Sequence, residues 1–142
     1  MMSKRKKNEG GFTLIELIMV IVILGIMSAV AIPKFLSLSD SAKLSSARGV
    51  GAAIAGSIQA AHADYLIDNT NTYSMSSVLS ATAFTGGVNY VTGTPAANGD
   101  IGANGSDIDL ILSGDTFSWD WTDQNLDTPA LIDEEASNFP IP

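Results

Sequence analysis

The chain has 142 residues, with seven Lys and Arg, fifteen Asp and Glu, and a formal net charge of −8 at pH 7. Twelve of the acidic residues but no Lys or Arg follow Arg48. No Lys or Arg in this distal part can neutralise phosphates, so nucleic acid is not expected as a direct partner. There is no cysteine, and disulfides, thiol catalysis and cysteine-ligated metals are therefore excluded as well.

The N-terminal region has a basic segment, KRKK at residues 4–7, followed by an apolar run at residues 12–32. As a helix this run is long enough to span a hydrocarbon core of about 30 Å. No small-x-small cleavage site follows the run, which argues against an ordinary secretory signal peptide. The positive-inside rule predicts a cytoplasmic leader and an acidic body on the other side of the membrane.

Glu16 is the one acidic residue within the apolar run. A carboxylate at that depth is costly, which makes it a functional candidate. The sequence GFTLIE at residues 11–16, between a basic leader and an apolar run, resembles the type III signal of type IV prepilins and pseudopilins. Beyond the signal, IPKFL at residues 32–36 resembles pilins of the mannose-sensitive haemagglutinin type, and VNYV at 88–91, a Gly-Thr-Pro loop and SGDTFSWDW at 113–121 are consistent with them.

The resemblance implies that a prepilin peptidase cuts between Gly11 and Phe12 and methylates the new amine of Phe12. It implies that Glu16 pairs with the Phe12 amine of a neighbouring subunit during assembly. Its further implied partners are other copies of the chain, an inner-membrane assembly platform and the lipid bilayer. In several assembled pili the segment corresponding to Gly25 and Pro33 is locally unwound, so the resemblance implies a helix break there.

A single long helix is predicted from about residue 12 to about residue 67, with a kink near Pro33. Its second half carries one apolar stripe at helical spacing, which requires a partner surface. The stripe consists of Val50, Ile54, Ile58, Ala61 and Tyr65. Seven Ala and three Gly at residues 47–63 favour a smooth surface under a packed sheet, or close packing between subunits.

Beyond residue 69 the pattern changes to short apolar runs separated by turn residues. It predicts a short helix at 76–81, a strand at 88–91, a loop at 93–106 and a hairpin of strands 108–112 and 116–121. Residues 127–142 are interpreted as a loose tail that covers a sheet edge. The predicted fold class is α+β, the type IV pilin fold, with a small antiparallel sheet on the distal half of the helix.

These patterns divide the chain into four parts. The parts are a cleaved leader at 1–11, a transmembrane and assembly helix at 12–33, an amphipathic continuation at 34–68, and an acidic β region with its tail at 69–142.

Few side chains of the distal part are candidates for chemistry. His62 is interpreted as a surface or partly packed residue, and Trp119 and Trp121 as core rather than a sugar platform. Asp107 and Asp109, with Asp100 and Asp115 nearby, are weak candidate Ca²⁺ ligands in a Gly- and Asn-rich stretch, with a solvated acidic loop as the alternative. The sequence requires no cofactor and offers no catalytic constellation, so an enzyme is not expected.

The leading functional hypothesis is a structural subunit of a type IV pilus-like filament, with adhesion, motility or DNA uptake as filament-level outcomes. It is anchored in the inner membrane by one helix before assembly and is extracellular afterwards. One alternative is a pseudopilin of type II secretion, which forms a periplasmic filament. The other is a membrane-anchored binding module that stays monomeric and has no need of Glu16.

Overall fold

The computed structural model describes residues 11–125, 127–135 and 139. Within them lie two helices, α1 (Leu14–Ile67) and α2 (Met75–Ala81), and five strands. The strands are β1 (Asn89–Tyr90), β2 (Asp100–Asn104), β3 (Asp107–Leu112), β4 (Asp115–Thr122) and β5 (Leu131–Glu134). The chain divides into one unit up to Asp40 and a second unit from Ser41 onward.

The five strands form one sheet in the order β1-β2-β3-β4-β5. The β1–β2 pair is parallel, and the other three pairs are antiparallel. The β3–β4 hairpin turns at Ser113 and Gly114, both with positive φ, which is the geometry of a two-residue turn that follows the strand twist. The predicted α+β architecture is confirmed, and α2 and the hairpin form close to their predicted positions.

The core of the second unit lies between the distal part of α1 and one face of the sheet. Ala47, Gly51, Ile54, Ile58 and His62 are the buried positions of α1. They recur every three or four residues, as one helical face requires. The centre of this face is shifted from the predicted stripe, since Val50, Ala61 and Tyr65 are only partly buried on its flanks.

Alternation in the hairpin strands turns their large side chains towards α1. Ile108 faces Trp119 across the β3–β4 pair, and Leu110 faces Phe117. All four side chains are buried, whereas Asp107 and Asp120, which face each other on the opposite side of the sheet, are not. The prediction that Trp119 is a core residue is therefore confirmed; Trp121 is partly buried against the same core.

One prediction for the distal region is wrong, and a second is wrong in part. Part of the predicted loop at 93–106 is strand β2, in which Gly102 lies so close to the Val91–Gly93 backbone that a Cβ there would overlap the Gly93 carbonyl oxygen. Glycine is required there for close packing, and it was interpreted as a loop residue.

The C-terminal segment was predicted as a loose tail that covers a sheet edge. It does cover an edge, that of β4, but it does so as the paired strand β5. The side chain of Phe139 is buried with its ring centroid 5.1 Å from that of Trp119 and 5.4 Å from that of Phe117. Strand pairing and aromatic packing thus hold a segment that has no cysteine to close it.

Two ion pairs also join α1 to the sheet. The Lys43 Nζ lies 2.7 Å from Oδ2 of Asp115 at the hairpin turn, and the Arg48 Nε lies 3.1 Å from Oε1 of Glu134 in β5. Both pairs are partly exposed, so each contributes only a few tenths of a kcal/mol up to about 1 kcal/mol. Their effect is to align the acidic sheet with the two basic residues of the distal helix.

Candidate functional site

Helix α1 begins two residues after the predicted cleavage junction between Gly11 and Phe12. Residues 11–13 are not helical, and α1 starts at Leu14. Gly11 is exposed, and the Phe12 side chain is 94% exposed. The Gly11–Phe12 bond therefore lies outside the helix, where the backbone is not held by helical hydrogen bonds.

Thr13 and Glu16 form a capping box at this helix end. The Thr13 main-chain N–H donates to Oε2 of Glu16 at 2.8 Å, and the Thr13 hydroxyl donates to the same oxygen at 2.7 Å. The Glu16 main-chain N–H in turn donates to the Thr13 hydroxyl oxygen at 3.3 Å. Reciprocal bonds of this kind satisfy main-chain donors that the first helical turn leaves without partners.

The capping box was not predicted, although its signature is present in the sequence. TLIE at residues 13–16 has the Thr-x-x-Glu spacing that marks a helix start before an apolar run. Glu16 was predicted to be a costly charge in a membrane segment and a partner of the Phe12 amine, but not a capping residue. The structure shows that its carboxylate has donors within its own chain.

The apolar part of α1 is exposed all round. Its large side chains from Leu14 to Leu38 are at least 41% exposed, and an 18-residue window of the helix has a mean hydropathy of 2.8. Within the described residues α1 is the one helix long and apolar enough to cross a membrane. An apolar surface of this size requires lipid or other protein to cover it.

Gly25 and Pro33 lie within this exposed part of α1. The helix is continuous through both positions. Pro33 has no main-chain N–H, so the Ala29 carbonyl lacks the donor that a helix normally supplies four residues later. The predicted helix break concerns the assembled state and stays a prediction.

His62 is buried in the second unit, which corrects the prediction of a surface or partly packed residue. Its Nδ1 lies 3.1 Å from the Tyr73 hydroxyl, and that hydroxyl accepts the main-chain N–H of Ala130 at 3.1 Å. The rings of Tyr65 and Tyr73 have centroids 5.9 and 6.2 Å from the His62 ring. His62 therefore links α1 to the segments before α2 and before β5.

The candidate Ca²⁺ ligands have protein partners instead of converging. Asp109 is buried, and its two carboxylate oxygens accept the Ser118 hydroxyl at 2.6 Å and the Asn104 amide at 2.7 Å. Asp107 accepts the hydroxyl of Ser106 at 2.9 Å. No group of three or more His, Cys, Asp or Glu in the described part of the chain is placed to hold a metal ion. Calcium binding stays a prediction for which this geometry supplies no donor set.

Comparison with known proteins agrees with the N-terminal geometry. A family model described as the prokaryotic N-terminal methylation motif matches residues 6–32. The type II secretion system core protein G of Pseudomonas aeruginosa is 40% identical over 65 residues, which is 46% of this chain and 43% of that protein. The type IV narrow pilus major component PilA5 of Thermus thermophilus is 50% identical over 44 residues, 31% of this chain and 38% of that protein.

The chain thus spans less than half the length of these curated relatives, and no solved structure matches it. A long apolar N-terminal helix followed by a small, mostly antiparallel sheet defines a type IV pilin-like fold. The methylation motif and the two relatives place the N-terminal part of the chain in the type IV pilin and pseudopilin family. The family predicted from residues 11–16 is therefore confirmed.

Proposed function

We propose that this chain is the structural subunit of a type IV pilus-like filament. It is made as a membrane-anchored precursor, cut between Gly11 and Phe12 by a prepilin peptidase, and methylated on the new Phe12 amine. An inner-membrane platform then moves it from the bilayer into a filament of identical copies. The function of the subunit itself is to polymerise. Adhesion, motility or DNA uptake is a function of the assembled fibre.

One observation carries this proposal. The methylation motif ends in a helix whose apolar side chains are exposed all round, and the scissile bond lies just before that helix. Lipid covers such a surface before assembly, and the helices of neighbouring copies cover it afterwards. Removal of residues 1–11 leaves three basic and fourteen acidic side chains, a net charge of −11, and takes away the four leader charges that hold the N-terminus in the cytoplasm.

Glu16 supplies the polar contact in this apolar interface. An unpaired carboxylate in the filament interior is costly, and an ion pair with the Phe12 amine of a neighbour offsets that cost. The pair would set the axial register of the subunits more than their stability. The experiment is co-expression of the chain with its peptidase and platform, followed by quantification of subunit in the sheared-fibre and membrane fractions.

Gly11→Ala is expected to block maturation and to keep the chain in the membrane with its leader. Glu16→Val is expected to mature and stay in the membrane, with little or no fibre. Asp64→Ala, at an exposed position of the distal helix, is the matched control and is expected to assemble normally. Normal fibres from Glu16→Val would remove this role of Glu16, whereas a processed, membrane-bound chain that forms no fibres even without substitution would support the monomeric binding module.

A pseudopilus of type II secretion is the second candidate. The 40% identity to a type II secretion core protein G favours it, whereas PKF at residues 33–35 and the 50% identity to a pilus major component favour a pilus. Electron microscopy of cells that produce the chain at native levels distinguishes them. Long surface fibres that contain the chain support the pilus, and loss of exoprotein secretion without fibres supports the pseudopilus.

A further inference from the structure

The carboxylate of Glu16 uses its two oxygens unequally. Oε2 accepts two hydrogen bonds from Thr13, one from the main-chain N–H and one from the hydroxyl. Oε1 accepts none from the residues that the structure describes. The side chain is therefore held by one oxygen while the other remains open to a donor from elsewhere.

The Thr13 hydroxyl is well suited to hold this side chain. A hydroxyl has one hydrogen to donate and two lone pairs, so it can donate to Oε2 and accept the Glu16 main-chain N–H at the same time. A hydrogen bond to a charged oxygen is stronger than one between neutral groups. Together the three bonds close a small ring between the two residues and restrict the rotamers of a side chain that is otherwise among the most mobile.

No cation of the chain's own described part is available to Oε1. Lys34 is eighteen residues further along α1, about 27 Å at the rise of an α-helix. Lys43 and Arg48 are paired with carboxylates of the sheet. The proposed cleavage removes the four basic residues of the leader and creates an amine at Phe12, which lies outside the helix.

From these contacts we propose that Thr13 is a positioning residue for assembly. It holds Oε2 of Glu16 in the free subunit, and so presents Oε1 to the Phe12 amine of a second copy. This inference rests on the proposed filament function. It adds a specific role for Thr13, the second residue of the processed chain. Without the hydroxyl, the carboxylate has to be ordered during docking, and each docking event becomes less favourable.

The test compares Thr13→Val, which has the same shape without the hydroxyl, with Thr13→Ser, which keeps the hydroxyl. Both are made in the full chain and co-expressed with the peptidase and platform. Intact mass confirms that each variant is cut and methylated, and tryptophan fluorescence confirms that the body around Trp119 is folded. The readout is the ratio of subunit in sheared fibres to subunit in the membrane.

We expect this ratio to fall several-fold to about tenfold in Thr13→Val, as for the side-chain entropy that a free Glu side chain loses when docking has to order it. We expect Thr13→Ser to restore it to within about twofold of the unmodified chain. In the free subunit in micelles, Thr13→Val should shift the ¹³C resonance of the Glu16 carboxylate while the amide resonances beyond Leu17 stay in place. A general weakening of α1 would instead move those amide resonances.

Two negative results separate the inference from the function on which it rests. If Glu16→Val abolishes fibres but Thr13→Val assembles as well as Thr13→Ser, the positioning role is overturned and the filament function stands. If Glu16→Val also forms normal fibres, both the role of Thr13 and the proposed use of Glu16 are overturned.

Discussion

The contact between Gly51 of α1 and Trp119 of β4 provides a quantitative test of how the helix meets the sheet. A Cβ at position 51 would lie 2.8 Å from Nε1 of Trp119 and 3.2 Å from Cε2. Trp119 is 2% exposed and cannot move aside without displacing the core. We expect the overpacking in Gly51→Ala to cost about 1–3 kcal/mol in the free energy of unfolding.

Two opposing terms set the measured value for Gly51→Ala. Alanine at a helix interior is about 1 kcal/mol better than glycine, which offsets part of the packing cost. Gly56→Ala is the matched control, because position 56 lies in the same helix and has no atom within 4 Å of an added Cβ. The difference between the two variants therefore isolates the contact with Trp119.

The assay is thermal unfolding of the full chain in detergent micelles, followed by near-UV circular dichroism of the two tryptophans. For a body of about 100 residues, each kcal/mol corresponds to about 4–8 °C in melting temperature. The melting temperature of Gly51→Ala should therefore lie about 4–8 °C or more below that of Gly56→Ala. Equal melting temperatures would show that the helix and β4 are not packed as described.

The remaining predictions concern contacts elsewhere in the second unit. Tyr73→Phe removes the hydroxyl that accepts a buried main-chain N–H and contacts His62, and it should lower the free energy of unfolding by about 1–3 kcal/mol in chemical denaturation. Arg48→Ala breaks a half-exposed ion pair and should cost about 0.2–1 kcal/mol at low salt and less at high salt. The hydroxyl and main-chain N–H of Thr70 lower the pKa of Asp68, so Asp68 adds stability above its unfolded pKa and loses it as pH falls through the folded value. Thr70→Val should raise the pKa of Asp68 in an NMR titration, and an unchanged pKa would contradict this assignment.

Periodicity predicted the long helix, the hairpin and the burial of Trp119 because each depends on a local pattern. The apolar spacing in residues 50–65 and the alternation in TFSWDW fix which faces are buried. The Gly- and Asn-rich segment around β2 has no such pattern. Its glycine at position 102 is explained only by the chain that packs over it.

The C-terminal segment and His62 show the same limit. Nothing in the sequence indicates that Phe139 packs on Trp119 or that Tyr73 contacts His62, because both contacts join residues distant in sequence. For the candidate site, Glu16 was predicted from the sequence, but its hydrogen-bond partner Thr13 was not. Glu16 was identified from its cost in a membrane, whereas its partner Thr13 could have been identified from the Thr-x-x-Glu spacing alone.

The central claim, that this chain is a processed filament subunit, is tested most directly by intact mass spectrometry of sheared surface fibres. The account predicts a subunit that begins at Phe12 and carries one methyl group on its N-terminal amine. A chain that retains residues 1–11 and is found only in the membrane fraction, with the peptidase and platform present, would contradict it.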